Sequence, residues 1–133
     1  MAALIPPDVD GEVLALIAVA SAWTPQGGPD APDGETLREA IGRLTAHGND
    51  RAACLRALLG SGDVPEPELA RVRATLREAD RRLPLPPPSA LPQAVVRAQH
   101  LGRLVYALHR AIGLVRAEQT TRAAGRLRSE EIT

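Results

Sequence analysis

Between Leu91 and about Glu118 the chain runs without a helix-terminating proline and carries its most sustained apolar pattern, which limits the fold more than any other stretch. At about 100° per residue, Leu91, Ala94, Val95, Ala98, Leu101, Gly102, Val105, Leu108 and Ile112 gather on one side of a helix, and Arg103 and Arg110 fall roughly opposite. Leu104, Ala111 and Val115 widen the stripe, so this helix requires partners on more than one side. Ala94, Ala98 and Gly102 are four apart, and their small side chains leave a groove where another backbone can come close. None of these residues carries chemistry. The stripe predicts a scaffold helix.

A chain of 133 residues is long enough for one domain with a real core, and residues 1–133 are read as one helical domain. With no Phe, one Trp and one Tyr, that core must be built from Leu, Val, Ile and Ala, which favours close helix packing. All 16 basic residues are Arg. Codon bias in a GC-rich genome is the plainer account of that; selection for bidentate Arg contacts with a partner is the sharper alternative. Without Lys, a side-chain amine for Schiff-base or acyl chemistry is excluded.

Charge is zero overall but unevenly spread. Residues 1–35 hold six acids and no Arg, and residues 89–133 hold seven Arg against three acids. The acidic N-terminus is expected to fold over the basic C-terminal helix; a head-to-tail contact between subunits is the alternative. The lone Cys54 rules out an internal disulfide framework and fits a reducing, cytoplasmic setting. Val13 to Trp23 is nearly all apolar and Ala20-Ser21-Ala22 resembles a signal-peptidase site, but Asp8, Asp10 and Glu12 stand where a secretory signal carries positive charge. The run is also well short of the roughly 20 residues a membrane span needs. It reads as a buried helix, and no membrane association is expected.

In chain order, an extended lead-in over Met1–Pro7 precedes a first helix, capped by Asp8 or Asp10 and running to about Trp23. Being apolar on nearly every face, it is placed at the centre of the bundle, with Leu14 and Ile17 enclosed. Residues 24–34 form a flexible Gly/Pro loop with no phosphate-cradling motif. Asp33 caps a second helix, Glu35 to about His47, which Gly48 stops; Asn49 caps a third, Asp50 to Leu59. The fourth runs from Glu66 to Leu83, with Leu69, Val72, Leu76, Ala79 and Leu83 inward. Residues 84–88 form a Pro-rich strap. The long fifth helix weakens beyond Ile112, and residues 122–133 are expected as a frayed tail. The fold class is therefore all-α, a single-domain bundle of about five helices with a long C-terminal helix.

Catalytic signatures are lacking. His100 and His109 lie on opposite sides of one helix and cannot share a metal, and no HExxH or GxSxG pattern occurs. Cys54 sits inside a helix rather than at its positive end. No catalytic residue, metal ligand or cofactor is assigned. Thr36-Leu37-Arg38-Glu39-Ala40-Ile41-Gly42-Arg43-Leu44 resembles the first helix of the all-helical chorismate mutases, which would imply a small helical enzyme. That family continues the pattern into a long helix and uses a catalytic Lys with several Arg; this chain has Gly48 in the way and no Lys.

Arg73, Arg77 and Arg81, spaced i, i+4, i+8, form a basic edge that is the candidate anion-binding feature for a phosphate or nucleic-acid ligand. Glu78 and Asp80 interrupt it and no aromatic residues interleave for base stacking, which argues against nucleic acid. Val96, Tyr106 and Leu114 lie outside the main stripe and are the candidate interface. The leading expectation is a non-catalytic helical interaction module, accessory subunit or self-assembling protein, with another protein or a second copy as partner.

Overall fold

The computed structural model describes residues 7–28 and 31–132, with side chains from 11 to 130 within that range. These residues form four helices and no strands: α1 (Pro7–Ser21), α2 (Gly34–Ser61), α3 (Glu66–Arg82) and α4 (Leu91–Ile132). Of the expected lead-in Met1–Pro7, residues 1–6 lie outside the described residues, as do the capping side chains Asp8 and Asp10; Pro7 is not extended but opens α1, where its missing N–H costs nothing.

The helix count corrects the expected five, and Gly48 is the reason. It neither stops a helix nor leaves Asn49 as a cap; α2 runs through both for 28 residues. Gly48 is buried, and a Cβ there would lie 2.6 Å from Leu83 Cδ2. The glycine therefore makes room for the last turn of the neighbouring helix. Its helix-propensity cost, about 1 kcal/mol against Ala, is offset by that packing. The start of α2 follows the expected chemistry: the Asp33 carboxylate accepts from the Thr36 backbone N–H at 2.7 Å. That hydrogen bond is the main reason the Asp33 carboxyl is held below its ordinary pKa. α3 opens with Glu66 and Glu68 and closes with Arg81 and Arg82, each charge suited to its end of the dipole.

α4 is the organising element, about 63 Å long at 42 residues. Its interface with α2 is the most extensive in the molecule, and α1 and α3 also pack against it. Leu91 lies at the start of α2 beside Gly34, and Gln119 lies at its end beside Gly62, so α2 and α4 run parallel. α3 runs antiparallel to them, with Arg82 against His100 and Asp80 against Arg56. α1 is antiparallel to α4, with Ile17 over Gly102 and Trp23 near Gln99. Ala94, Val95, Ala98, Leu101, Leu104, Val105, Leu108, Ala111, Ile112 and Val115 are all buried along α4.

Two glutamines on α4 satisfy the carbonyls that helix ends leave open. Gln99 Nε2 donates to Ala20 O at 3.2 Å and to Trp23 O at 2.7 Å, closing α1; Gln119 Nε2 donates to Leu58 O at 2.7 Å, closing α2. Arg97 donates to the Leu85 carbonyl and ties the Pro-rich strap to α4.

α1 is not central. Val13 and Ala20 are buried against the bundle, but Leu14 is 42% exposed and Val19 53% exposed. The all-round apolarity that suggested a central helix arises differently: one face packs on α4 and the other meets solvent. The N-terminal region does fold onto α4, through α1, but the described acids of that region do not pair with its arginines. Among the described residues, Glu12 pairs with Arg43 of α2 at 3.9 Å, and no ion pair joins residues 11–35 to α4. Beyond Gln119, α4 continues as helix to Ile132 with most of its side chains in solvent.

Candidate functional site

Two surfaces stand out, an uncharged face shared by α1 and α4 and a polar cleft between α3 and α4. Around α1, the side opposite Val13 and Ala20 carries Gly11, Ala15, Ala18 and Ala22, flanked by Leu14 and Val19, all exposed. No charge interrupts that face from Val13 to Ala22. On α4, Ile17 covers Gly102, where an added Cβ would lie 3.5 Å from Ile17 Cγ2. Gly113 falls three turns further on and within about 20° of the same azimuth. A Cβ there would meet nothing within 4 Å. The same face continues bare through Ala117, Thr120 and Ala124 to Leu127, which is 62% exposed.

The candidate interface residues separate. Tyr106 is 45% exposed on this face, with the Arg110 guanidinium 5.9 Å from its ring centroid. Leu114 is 36% exposed at the edge of the face. Val96 is half-buried, lining a shallow apolar depression of about 250 Å³ with Pro25, Pro92 and Gln93. The three therefore do not form one patch, since Arg103 and Arg110 stand exposed between them.

Arg73, Arg77 and Arg81 share the solvent side of α3 without making a continuous positive edge. Arg81 donates to Glu78 Oε2 at 2.9 Å, and Arg73 borders a recess that also contains Asp63 and Glu66.

The cleft is built by Thr75, Glu78 and Arg82 of α3 and by His100, Arg103, Leu104 and Ala107 of α4, and it encloses about 350 Å³. Arg82 Nε donates to Glu78 Oε1 at 2.5 Å, and Arg82 Nη1 lies 3.1 Å from His100 Nδ1. A guanidinium can only donate, so Nδ1 is the acceptor and the neutral imidazole carries its proton on Nε2. Burial is the first cause of a lowered His100 pKa, and the Arg82, Arg103 and Arg97 charges add to it against Glu78. The Arg82 hydrogen bond is likewise the main cause that holds Glu78 below its ordinary value. Sequence reading had missed this cluster because its halves lie on two helices. The i, i+4 pair Glu78–Arg82 and the i, i+3 pair His100–Arg103 were the signals available.

Cys54 is half-buried, with Arg116 Nη2 3.8 Å from its Sγ. Among the described residues no group of His, Cys, Asp or Glu is arranged to hold a metal, and no helix is long and apolar enough to cross a membrane. α2 is as long and unbroken as the chorismate mutase resemblance implies, but Arg38, Glu39 and Arg43 all project to solvent and the Lys is missing. Compared with known protein families, curated proteins and solved structures, the chain matches none.

Proposed function

We propose that the protein is a non-catalytic helical interaction module that self-associates, the outward face of α1 in one copy docking on the bare half of α4 in another. The observation that carries this reading is the uncharged, solvent-facing side of α1 with Leu14 and Val19 exposed. Single exposed apolar residues are ordinary, but an uncharged helix face running from Val13 to Ala22 marks a candidate interaction surface.

A second copy is the occupant that the charge pattern favours. The acidic N-terminal region makes no ion pair with its own α4 among the described residues, and Arg110, Arg116 and Arg128 border the bare half of α4 in solvent. Geometry is also permissive. Antiparallel pairing of two α4 helices about a twofold axis near Arg110 sets Tyr106 of one copy opposite Leu114 of the other. The α1 that covers Gly102 then lies over the second copy's Ala117 and Thr120. Such an isologous contact closes and does not propagate. Each uncharged α1 strip, Gly11 to Ala22, is about 18 Å by 10 Å. The two strips and the faces they cover remove roughly 700 Å² from water, below the usual size of stable interfaces, so the expected dimer is weak and concentration-dependent rather than obligate.

Light scattering coupled to gel filtration across a concentration series tests this. The expected result is a mass rising from 14.1 kDa toward twice that value, and reverting to monomer when Leu14 and Val19 both become Glu. A constant monomer mass up to about 1 mM, where even a very weak dimer would form, excludes self-association. Binding of a different protein by the same face would then be the reading left standing.

A further inference from the structure

We infer that the cleft between α3 and α4 is a binding site for a small organic anion, its acidic head held by Arg103 and by the Nε2–H of His100 and its short apolar body lying on Leu104, Ala107 and Ala74. This site faces α3 and is separate from the α1 surface.

The inference rests on which groups in the cleft are already engaged. Glu78, its one acid, is occupied by Arg81 at 2.9 Å and Arg82 at 2.5 Å. Arg82 spends Nε on that carboxylate and Nη1 on His100 Nδ1. Arg103 lines the same cleft and, among the described residues, has no hydrogen-bond or ion-pair partner. Thr75 spends its hydroxyl proton on the Arg71 carbonyl at 3.2 Å, and the other groups left over are donors: the Arg103 guanidinium and the second nitrogen of His100. Charged and strong donors outweigh that one hydroxyl acceptor, and in a field to which Arg82, Arg97 and Arg103 contribute against Glu78 they select an oxyanion. The remaining wall is apolar, so a head alone would leave Ala74 and Ala107, beside the buried Leu104, wet. The volume of about 350 Å³ is at the small end of ligand sites, which limits the occupant to a small molecule.

Binding an anion at Arg103 also acts on His100. The titratable and charged groups facing the imidazole are Glu78 and Arg82 on α3 and Arg97 and Arg103 on α4. A bound anion offsets the cations among them, so His100 becomes easier to protonate when the cleft is filled.

The test is an NMR titration of the histidine ring signals in the full chain, with His100 assigned by comparison with His100→Gln. The probes are hexanoate, acetate and hexylammonium. Hexanoate is expected to shift the His100 signals saturably and raise its apparent pKa, while acetate binds at least about tenfold more weakly because it cannot cover the apolar wall. Arg103→Gln, an exposed change that should leave the fold intact, is expected to weaken hexanoate by about tenfold or more. Arg73→Gln and Arg77→Gln should leave it unchanged. No saturable shift, an equal response in Arg103→Gln, or comparable binding of hexylammonium would overturn the anion site. Equal affinity for acetate and hexanoate would overturn the apolar part of the proposed ligand.

Discussion

Gly102 and Gly113 belong to one helix and look out along nearly the same line, yet they live in different surroundings. At Gly102 the backbone is covered by Ile17 of α1, and the helix around it buries Leu101, Leu104, Val105 and Leu108. At Gly113 the same face is open, and the four turns that follow expose Ala117, Thr120, Ala124 and Leu127. The difference is one of length. α1 is 15 residues, about 22 Å, and α4 is 42 residues, about 63 Å, so α1 covers only the first part of the face it packs on. Among the described residues this leaves a sector of α4 without a partner, and that sector is where the proposed second copy would dock.

The sharpest contrast in stability lies between Leu108, fully buried, and Leu127 on the same helix. Leu108→Ala should cost roughly 2–5 kcal/mol, enough to unfold much of a domain whose total is about 5–15 kcal/mol. Leu127→Ala should cost under about 0.5 kcal/mol in the dilute monomer. Urea melts at low protein concentration measure both, and similar losses at the two sites would erase the distinction between covered and bare halves.

On α1 the two faces should separate in the same way. Val13→Ala removes two buried methyl groups, which should cost about 1.5–3 kcal/mol. Leu14→Ala should lower monomer stability by less than about 1 kcal/mol while weakening association. Thermal melts at two protein concentrations distinguish them; a concentration-independent loss at Leu14 as large as that at Val13 would return α1 to the centre of the bundle.

Gly113→Arg makes the opposite pair of changes. Replacing glycine in an exposed helix interior should raise monomer stability by up to about 1 kcal/mol. The long charged side chain would block docking at the same site, so the variant should be more stable and more monomeric than the parent. A variant that is more stable yet associates as well as the parent would count against the docking face.

The smallest effect expected is on pH dependence, and it concerns the covered side of α4. His100 has a lowered pKa in the fold, so the unfolded chain takes up a proton first on acidification. Its contribution is intact above the ordinary value of 6.5, falls as pH drops below that value, and levels off below the folded pKa. Glu78, also lowered, contributes stability above its ordinary value that is lost as pH falls through the folded pKa. Both act in the same direction, so α3 should loosen from α4 in acid, and His100→Gln should flatten the upper part of that profile in urea melts.

Much of this architecture was legible in the residues. The α4 stripe was read position by position, and only Leu91, at the exposed first turn, fails to be buried. The expected Glu66 to Leu83 helix, resting on the 3-4 spacing of its apolar residues, matches α3 at Glu66–Arg82 to within one residue. What escaped was set by pairs of helices. Gly48 looks like a stop because glycine costs helix stability, and nothing local reveals that Leu83 occupies the space above it. Val13–Trp23 looks central because periodicity reports how apolar a face is, and is silent on whether a neighbour exists to cover it. The cleft needed the pairing of Arg82 with His100, 18 residues away on another helix.

Directed cross-linking tests the central claim most closely. In a Cys54→Ser background, one sample carries Ala18→Cys on the outward face of α1 and another carries Ala117→Cys on the bare half of α4. The account predicts that mild oxidation of the mixture yields a disulfide-linked pair of one chain of each kind, formed well in excess of either homodimer and lost when Gly113→Arg is added to the second chain. Cross-linking of Ala18→Cys mainly to itself, or no cross-link in the mixture beyond that of each variant alone, would contradict it.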